Sequence, residues 1–199
     1  MGGPQSVEYS PGHRRRKKLT SIQITEVSKW WSREEELSLS IARAEAVRLA
    51  KHVLELDEQL AANEKQLDEL VQANEAAPLL EDTAFRAISA SRCLAAWSHE
   101  GRVRNDAAFA ALAGANPIPA SSGNTVRHQL NRGGDRTLNS ALHMVAIVRM
   151  TQDDETLEYV EKRHDEGLTD KEIRRSIKRH LARRIYRTLN ASATAMNAA

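Results

Sequence analysis

Residues 107–143 read AAFAALAGANPIPASSGNTVRHQLNRGGDRTLNSALH, and this stretch is the most informative part of the 199-residue sequence. Its alanine-rich start, capped by Asn105 and closed by Gly114, predicts a short helix. A loop with two adjacent serines follows, and the chain then passes through Gly133-Gly134 into a second apolar segment. The stretch therefore predicts two helices joined by a loop that is rich in hydroxyl groups, glycine and positive charge.

Helical periodicity also dominates the C-terminal half of the sequence. Residues 79–97 are expected to form one helix, and residues 153–165 another that ends at Gly167. Thr169 and Glu172 have the spacing of a capping box, which predicts the start of a last, basic helix. The residues expected to be the apolar positions of these helices are Leu80, Ile88, Leu94, Trp97, Leu138, Leu142, Val145, Val148, Ile173, Ile177, Leu181, Ile185 and Leu189. The alternating pattern of strands is absent from the sequence, so the predicted fold class is all-α.

A heptad pattern precedes this half. Its a and d positions are Leu39, Ala42, Ala46, Leu49, Val53, Leu56, Leu60, Asn63, Leu67, Leu70 and Asn74. Charged residues on the remaining positions leave a narrow apolar stripe, which is typical of a coiled coil. The helix is expected to pair with another chain, or to form a hairpin with a helix that begins near Trp30. The alternative is an amphipathic helix that packs against its own domain.

Charge and composition narrow the functional classes. The sequence has 29 Lys and Arg against 27 Asp and Glu, but basic residues cluster at 13–18, in the central loop and at 171–187. This distribution is typical of a nucleic-acid-binding protein with a separate interaction arm, although it is also compatible with solvated helix faces. The single cysteine, Cys93, excludes an intrachain disulfide and a cysteine-based zinc site. Without a membrane-spanning run or a secretory signal, we expect a cytoplasmic protein with no membrane partner.

These patterns divide the chain into four parts. We expect a disordered basic tail over 1–21, a helical coiled-coil dimerisation arm over 22–77, a compact helical domain with the serine loop over 78–190, and a disordered tail over 191–199. The compact domain would carry the chemistry and the arm would carry the assembly.

The serine loop has the residue types that phosphoryl transfer requires. A serine is a weak nucleophile until its surroundings activate it, and the transfer depends mainly on positioning and on stabilising charge. Arg127, Arg132 and Arg136 follow the serines closely and can neutralise phosphate oxygens. His128 can exchange a proton near neutral pH. Taken without further information, the same residues also fit an ordinary surface loop.

The order of FAALAG, NPIPASSGNTVRH and LNRGGDRTLNSALH resembles the C-terminal catalytic domain of insertion-sequence transposases of the IS one-ten type. Those enzymes move DNA under the guidance of a bridge RNA, and the resemblance extends over residues 30–189. It implies that Ser122, in the Ser122-Gly123 pair, attacks DNA and forms a phosphoserine intermediate, with Ser121 as the alternative. It also implies DNA and a guide RNA as partners. The heptad pattern adds a homo-oligomer or an assembly with a full-length transposase. The nucleic-acid contacts are expected at Arg127, His128, Asn131, Arg132, Arg136, Lys178, Arg179 and Arg183.

The sequence departs from the family pattern in two places. Family members carry an acidic ribonuclease-H-like domain that holds a divalent metal such as magnesium, whereas only Glu34, Glu35 and Glu36 cluster near the N-terminus, on a predicted helix that points them apart. We therefore expect a C-terminal part that has no cofactor of its own and is inactive alone. A phosphate-binding Gly-hydrophobic-Gly turn is also replaced by the segment 84–86, so that contact is not expected. The alternative to a catalytic role is a nucleic-acid-binding or coiled-coil module that partners a full-length transposase.

Overall fold

The computed structural model describes residues 18–119, 128–131 and 133–198, with residues 128–130 described by their backbone. Its elements are α1 Ser21–Ser28, α2 Leu37–Gln72, a 3-10 helix Ala77–Glu81, α3 Ala87–Trp97, α4 Asp106–Leu112, β1 Pro117–Pro119, β2 His128–Leu130, α5 Arg136–Gln152, α6 Asp154–Asp165 and α7 Asp170–Asn197. The predicted all-α class is confirmed, and the described residues contain only two strands, of three residues each. None of the helices in the described part is long and apolar enough to cross a membrane. The chain divides into two compact units, 1–61 and 62–199.

The first unit contains α1 and most of α2. Thr20 and Gln23 form a capping box at the start of α1. The helix expected near Trp30 is wrong, because residues 29–36 are not helical and the next helix begins only at residue 37. The guanidinium of Arg43 holds the carboxylate of Glu35, with Nε 3.0 Å from Oε2, and lies 5.3 Å from the Trp30 ring centroid. These contacts hold the non-helical segment beside the start of α2, so the three consecutive glutamates do not share a helix. Residues 1–17 of the predicted disordered tail lie outside the described residues.

The core of the second unit lies between α3, α5 and α7, with α4 packed against α7. Every predicted core position of α7 is buried, as the spacing of Ile173, Ile177, Leu181, Ile185 and Leu189 requires. Burying each such side chain contributes about 1.5–3 kcal/mol. Trp97 is buried and donates from its indole nitrogen to Asn190 Oδ1 at 3.2 Å. The thiol of Cys93 is also buried, which raises its pKa to about 12.

The predicted caps of this unit are confirmed. Asn105 accepts from the backbone N–H of Ala108 at the start of α4, and Thr169 and Glu172 form the capping box of α7. Gly167 follows α6 with a φ of +83°. These local signals hold because the capping side chain and its acceptor or donor lie within one turn of the helix end.

Two boundaries differ from the sequence prediction. The expected helix over 79–97 is interrupted, because Asp82 Oδ1 accepts from the backbone N–H of Ala84 at 3.0 Å and the Asp82 carbonyl accepts from Phe85 at 2.8 Å. A side chain that bonds to its own backbone in this way competes with helix formation. As a result, Ile88 at the start of α3 is 46% exposed rather than buried. At the other end, α7 continues through residues 191–197, where a disordered tail was predicted, since Ala193 is buried against the core.

Candidate functional site

The serine loop begins and ends at a two-stranded antiparallel ribbon. Pro117 pairs with Leu130 and Pro119 with His128, so the two ends of the segment 120–127 are adjacent. Ser121, Ser122, Arg127 and Arg132 lie outside the described residues, and only the backbone of His128 is described. The structure therefore defines the two roots of the loop, on the α4 side and on the α5 side.

Both roots are tied to the C-terminal end of α4. The backbone carbonyl groups at such an end have no partner within the helix. Here the side chain of Asn131 donates to Ala111 O at 3.3 Å, and the side chain of Asn139 donates to Ala113 O at 2.6 Å. Between them, the backbone N–H of Asp135 donates to the carbonyl of Leu112 at 2.7 Å. The segment that leaves the loop thus binds the end of the helix that leads into it.

A pair of glycines allows this close approach. Gly114 follows α4 with a φ of +65°, a conformation that residues with a side chain rarely adopt. A Cβ atom on Gly134 would lie 2.4 Å from the backbone nitrogen of Gly114 and 2.6 Å from its Cα. The two backbones are therefore in direct contact, and Gly134 is required for packing. The neighbouring Gly133 has no such restriction, because its nearest contact would be Asn131 Oδ1 at 3.5 Å.

An open cleft of about 570 Å³ lies beside the α5 root. It is lined by Asn131, Gly134, Arg136, Asn139, Ser140 and His143. Lys178 of α7 joins this group, since its Nζ donates to Asn139 Oδ1 at 2.6 Å. Arg136, Asn139, Ser140 and His143 lie on one face of α5, and Asn139 connects that face to α7.

Three basic residues, which we name the loop-root cations, lie at or near this cleft: Arg136, Arg174 and Lys178. His143 lines the cleft beside them. Burial, together with the charges of Lys178 and Arg174, lowers the pKa of His143. Burial and the charge of Arg174 also lower the pKa of Lys178. Both shifts mean that the protein disfavours additional positive charge at this position.

The positive charge of the loop-root cations is not compensated by the part of the chain that the structure describes. No carboxylate there lies within salt-bridge distance of Arg136, Arg174 or Lys178. Arg174 Nε is also buried without a hydrogen-bond partner. An arrangement of this kind attracts anions, and guanidinium and ammonium groups suit the oxygens of a phosphodiester.

Only some of the predicted site residues lie at this cleft. Asn131 and Arg136 line the cleft and Lys178 reaches it through Asn139, but both polar atoms of the Asn131 amide are already used within the protein. Arg179 is exposed on α7, and Arg183 lines a different cleft. Sequence reasoning missed three residues of the site: Asn139, His143 and Arg174. The spacing from Arg136 and from Lys178 along one helix face was the signal that pointed to them.

Comparison with known proteins identifies part of the chain. Residues 79–161 match the model of the family described as Transposase IS116/IS110/IS902 family. The matched segment includes α3, α4, both strands, α5 and most of α6, so it contains both roots of the serine loop and the α5 side of the cleft. No curated protein matches the chain. The family match confirms the resemblance predicted from the sequence.

Proposed function

We propose, from the match of residues 79–161 to an insertion-sequence transposase family, that this chain acts in DNA transposition with Ser122 as the nucleophile. The family match itself supports the transposition or recombination of an insertion sequence. The observation that carries the finer proposal is the basic cleft at the α5 root of the serine loop, which Arg136 lines and which Lys178 joins through its hydrogen bond to Asn139.

The proposed step is a transesterification. Ser122 Oγ attacks the phosphorus of a DNA phosphodiester, forms a phosphoserine linkage and displaces one sugar oxygen, which takes the electron pair of the broken P–O bond. The serine proton passes to a base, and the displaced oxygen acquires a proton. Arg136, Arg174 and Lys178 would neutralise the phosphate oxygens, on which charge develops during the transfer.

Two histidines are candidates for the base. His128, which the sequence predicts for this role, adjoins the loop at the end of β2. His143 lies in the cleft, and its lowered pKa favours the neutral imidazole, which is the form that accepts a proton. We assign the proton transfer to His143 because it lines the same cleft as Arg136, and we keep His128 as the alternative.

The acidic residues that bind metal in the family are expected in a different protein segment. Among the residues that the structure describes, no group of three or more His, Cys, Asp or Glu side chains could hold a metal ion. In the family, an acidic domain binds a divalent ion such as magnesium, and an ion of that kind supplies several kcal/mol of charge stabilisation. We propose that Ser122 works together with such a domain and with a guide RNA, and that the chain without such a domain does not recombine DNA.

A covalent adduct distinguishes this proposal from a binding role in which Ser122 only donates a hydrogen bond to phosphate. The chain would be combined with the acidic domain of a family member, its guide RNA and its donor DNA, and protein–DNA adducts would be separated on a denaturing gel and mapped by peptide mass spectrometry. We expect an adduct on the peptide that contains Ser122, present in Ser121→Ala and lost in Ser122→Ala. An adduct that survives Ser122→Ala, or nucleic-acid binding without any adduct, would refute the nucleophile assignment.

A second proposal concerns α2, which we propose pairs with another copy of the chain or with a full-length transposase. The heptad positions Leu39, Leu49, Leu56 and Leu60 are 57%, 47%, 42% and 65% exposed. An apolar stripe of this length is costly in water, and a partner helix with the same stripe would bury it. Pairing through α2 would bring two serine domains into one assembly.

A further inference from the structure

A second cleft, of about 540 Å³, lies between α5, α6 and α7 and shares no residue with the cleft at the serine loop. Its polar lining includes Arg149, His180, Arg183, Arg184 and Arg187, together with the ring of Tyr159. Glu155 is the one carboxylate among its lining residues. The proposed function assigns no role to this cleft as a unit.

Two of its arginines are held by carboxylates and form the frame of the cleft. Arg149 is only 14% exposed and its Nη2 lies 3.3 Å from Asp153 Oδ1 and 3.7 Å from Asp82 Oδ2. Arg187 Nη2 donates to Asp106 Oδ2 at 2.6 Å. These charges are compensated, so they position the wall of the cleft rather than attract a ligand.

The other two arginines are less fully compensated. Within the described residues, Arg183 has no carboxylate at salt-bridge distance, and its Nε is buried without a hydrogen-bond partner. A buried donor without a partner is unfavourable, and an acceptor that reaches it would relieve that cost. Arg184 Nη1 lies 3.6 Å from Asp82 Oδ2, beyond hydrogen-bond distance, and its side chain is 58% exposed. Most of its donors therefore remain available.

We infer that this second cleft binds a phosphate group of a nucleic-acid backbone through Arg183 and Arg184, separately from the serine-loop cleft. A guanidinium group binds phosphate oxygens with two parallel N–H donors, and two such groups supply the donors that one phosphate can accept. The chain then holds two nucleic-acid segments at once, one in each cleft. The ligand chemistry is the phosphodiester, which DNA and RNA share. The inference extends the proposed function, since recombination brings nucleic-acid segments together, but it does not depend on Ser122.

Stoichiometry tests the inference. A DNA pentanucleotide is too short for one strand to occupy both clefts. Equilibrium dialysis at a saturating concentration of this pentanucleotide should therefore give two bound strands per chain. Arg183→Gln with Arg184→Gln should reduce this to one, and Arg136→Gln with Arg174→Gln should also give one. The matched control is Lys171→Gln with Arg175→Gln, which removes two exposed charges from the same helix outside both clefts. The control should still bind two strands.

The outcomes of this experiment test the second cleft independently of the proposed role of Ser122. Two strands bound by the Arg183/Arg184 variant, or one strand bound by the unmodified chain, would overturn the second cleft whatever Ser122 does. If the double variant of Arg183 and Arg184 unfolds, Arg183→Gln alone can replace it, because Arg183 forms no ion pair with the described residues. This single variant should still lower the stoichiometry to one. A parallel series with the RNA pentanucleotide identifies which nucleic acid the second cleft prefers, and equal binding of both shows recognition of the backbone alone.

Discussion

Replacing Gly134 with alanine should disrupt the loop roots, because its added Cβ has the closest backbone contacts among the glycines that the structure describes. The added Cβ would lie 2.4 Å from Gly114 N, 2.6 Å from Gly114 Cα and 2.9 Å from the carbonyl carbon of Ala113. All three atoms are backbone, so no side chain can rotate away and the α4 and α5 roots must separate. Separation also weakens the hydrogen bond from the Asp135 N–H to the Leu112 carbonyl, now 2.7 Å long.

The expected cost follows from these contacts. Overpacking a well-packed site costs about 1–3 kcal/mol, and a purely backbone clash belongs at the upper end of that range. For a domain of this size, about 3 kcal/mol corresponds to a fall in Tm of about 6–12 °C. Nucleic-acid binding at the serine-loop cleft should weaken as well, because Gly134 lines that cleft.

Gly133→Ala is the matched control. It adds the same methyl group one residue away, where the nearest atom would be Asn131 Oδ1 at the ordinary contact distance of 3.5 Å. Its Tm should change little, or rise slightly because alanine restricts the unfolded chain. Thermal unfolding followed by circular dichroism measures both variants. A Tm of Gly134→Ala within about 2 °C of the Gly133→Ala value would refute the claim that the two backbones are in contact, since that interval corresponds to less than about 1 kcal/mol.

Two further measurements address the arm and the cleft. Leu56→Glu with Leu60→Lys should lower the light-scattering mass to that of a monomer, because burying a charge against apolar neighbours is unfavourable. The control is Glu58→Gln with Lys65→Gln, which lie outside the heptad seam. An unmodified chain that is already monomeric at tens of micromolar would contradict the pairing. An NMR titration should give His143 a pKa below the ordinary value of about 6.5, so its neutral, proton-accepting form persists to a lower pH than in an unperturbed histidine. Arg174→Gln should raise that pKa and Lys171→Gln should not, whereas a pKa of His143 at or above the ordinary value would rule out the proposed charge environment.

Local signals predicted the helices of the second unit well. The caps at Asn105 and Thr169 and the apolar face of α7 depend on residues within a few turns of each other, so the sequence contains the whole interaction. The break at Asp82 was missed because its carboxylate is fixed by distant partners, Arg149 and Arg184, as well as by its own turn. The ribbon was missed because β1 contains Pro117 and Pro119, which are poor strand formers. Its pairing depends on the attachment of both loop roots to α4, which is a tertiary effect.

The sequence predicted the basic character of the candidate site but not all of its residues. The sequence placed positive charge after the serines, and Arg136 and Lys178 do belong to the cleft that the structure shows. Arg174 and His143 join them only because α5 packs against α7, across about thirty residues of chain that contain α6 and its flanking turns. Asn131 illustrates the reverse case: a polar residue in the right segment that is used to hold the loop root.

Asn139 connects the positioning of the loop with the binding of an anion. Its amide nitrogen donates to Ala113 O at 2.6 Å, which holds the loop root, and its oxygen accepts from Lys178 Nζ at 2.6 Å. An ammonium group has three N–H donors, so Lys178 can bind a phosphate oxygen with the other two and keep its bond to Asn139. The bound negative charge would also offset the burial and the repulsion from Arg174 that lower the pKa of Lys178. Phosphate binding and the fixed geometry of the loop root therefore reinforce each other, as a nucleophile requires when a displacement of about 1 Å can reduce a rate about a hundredfold.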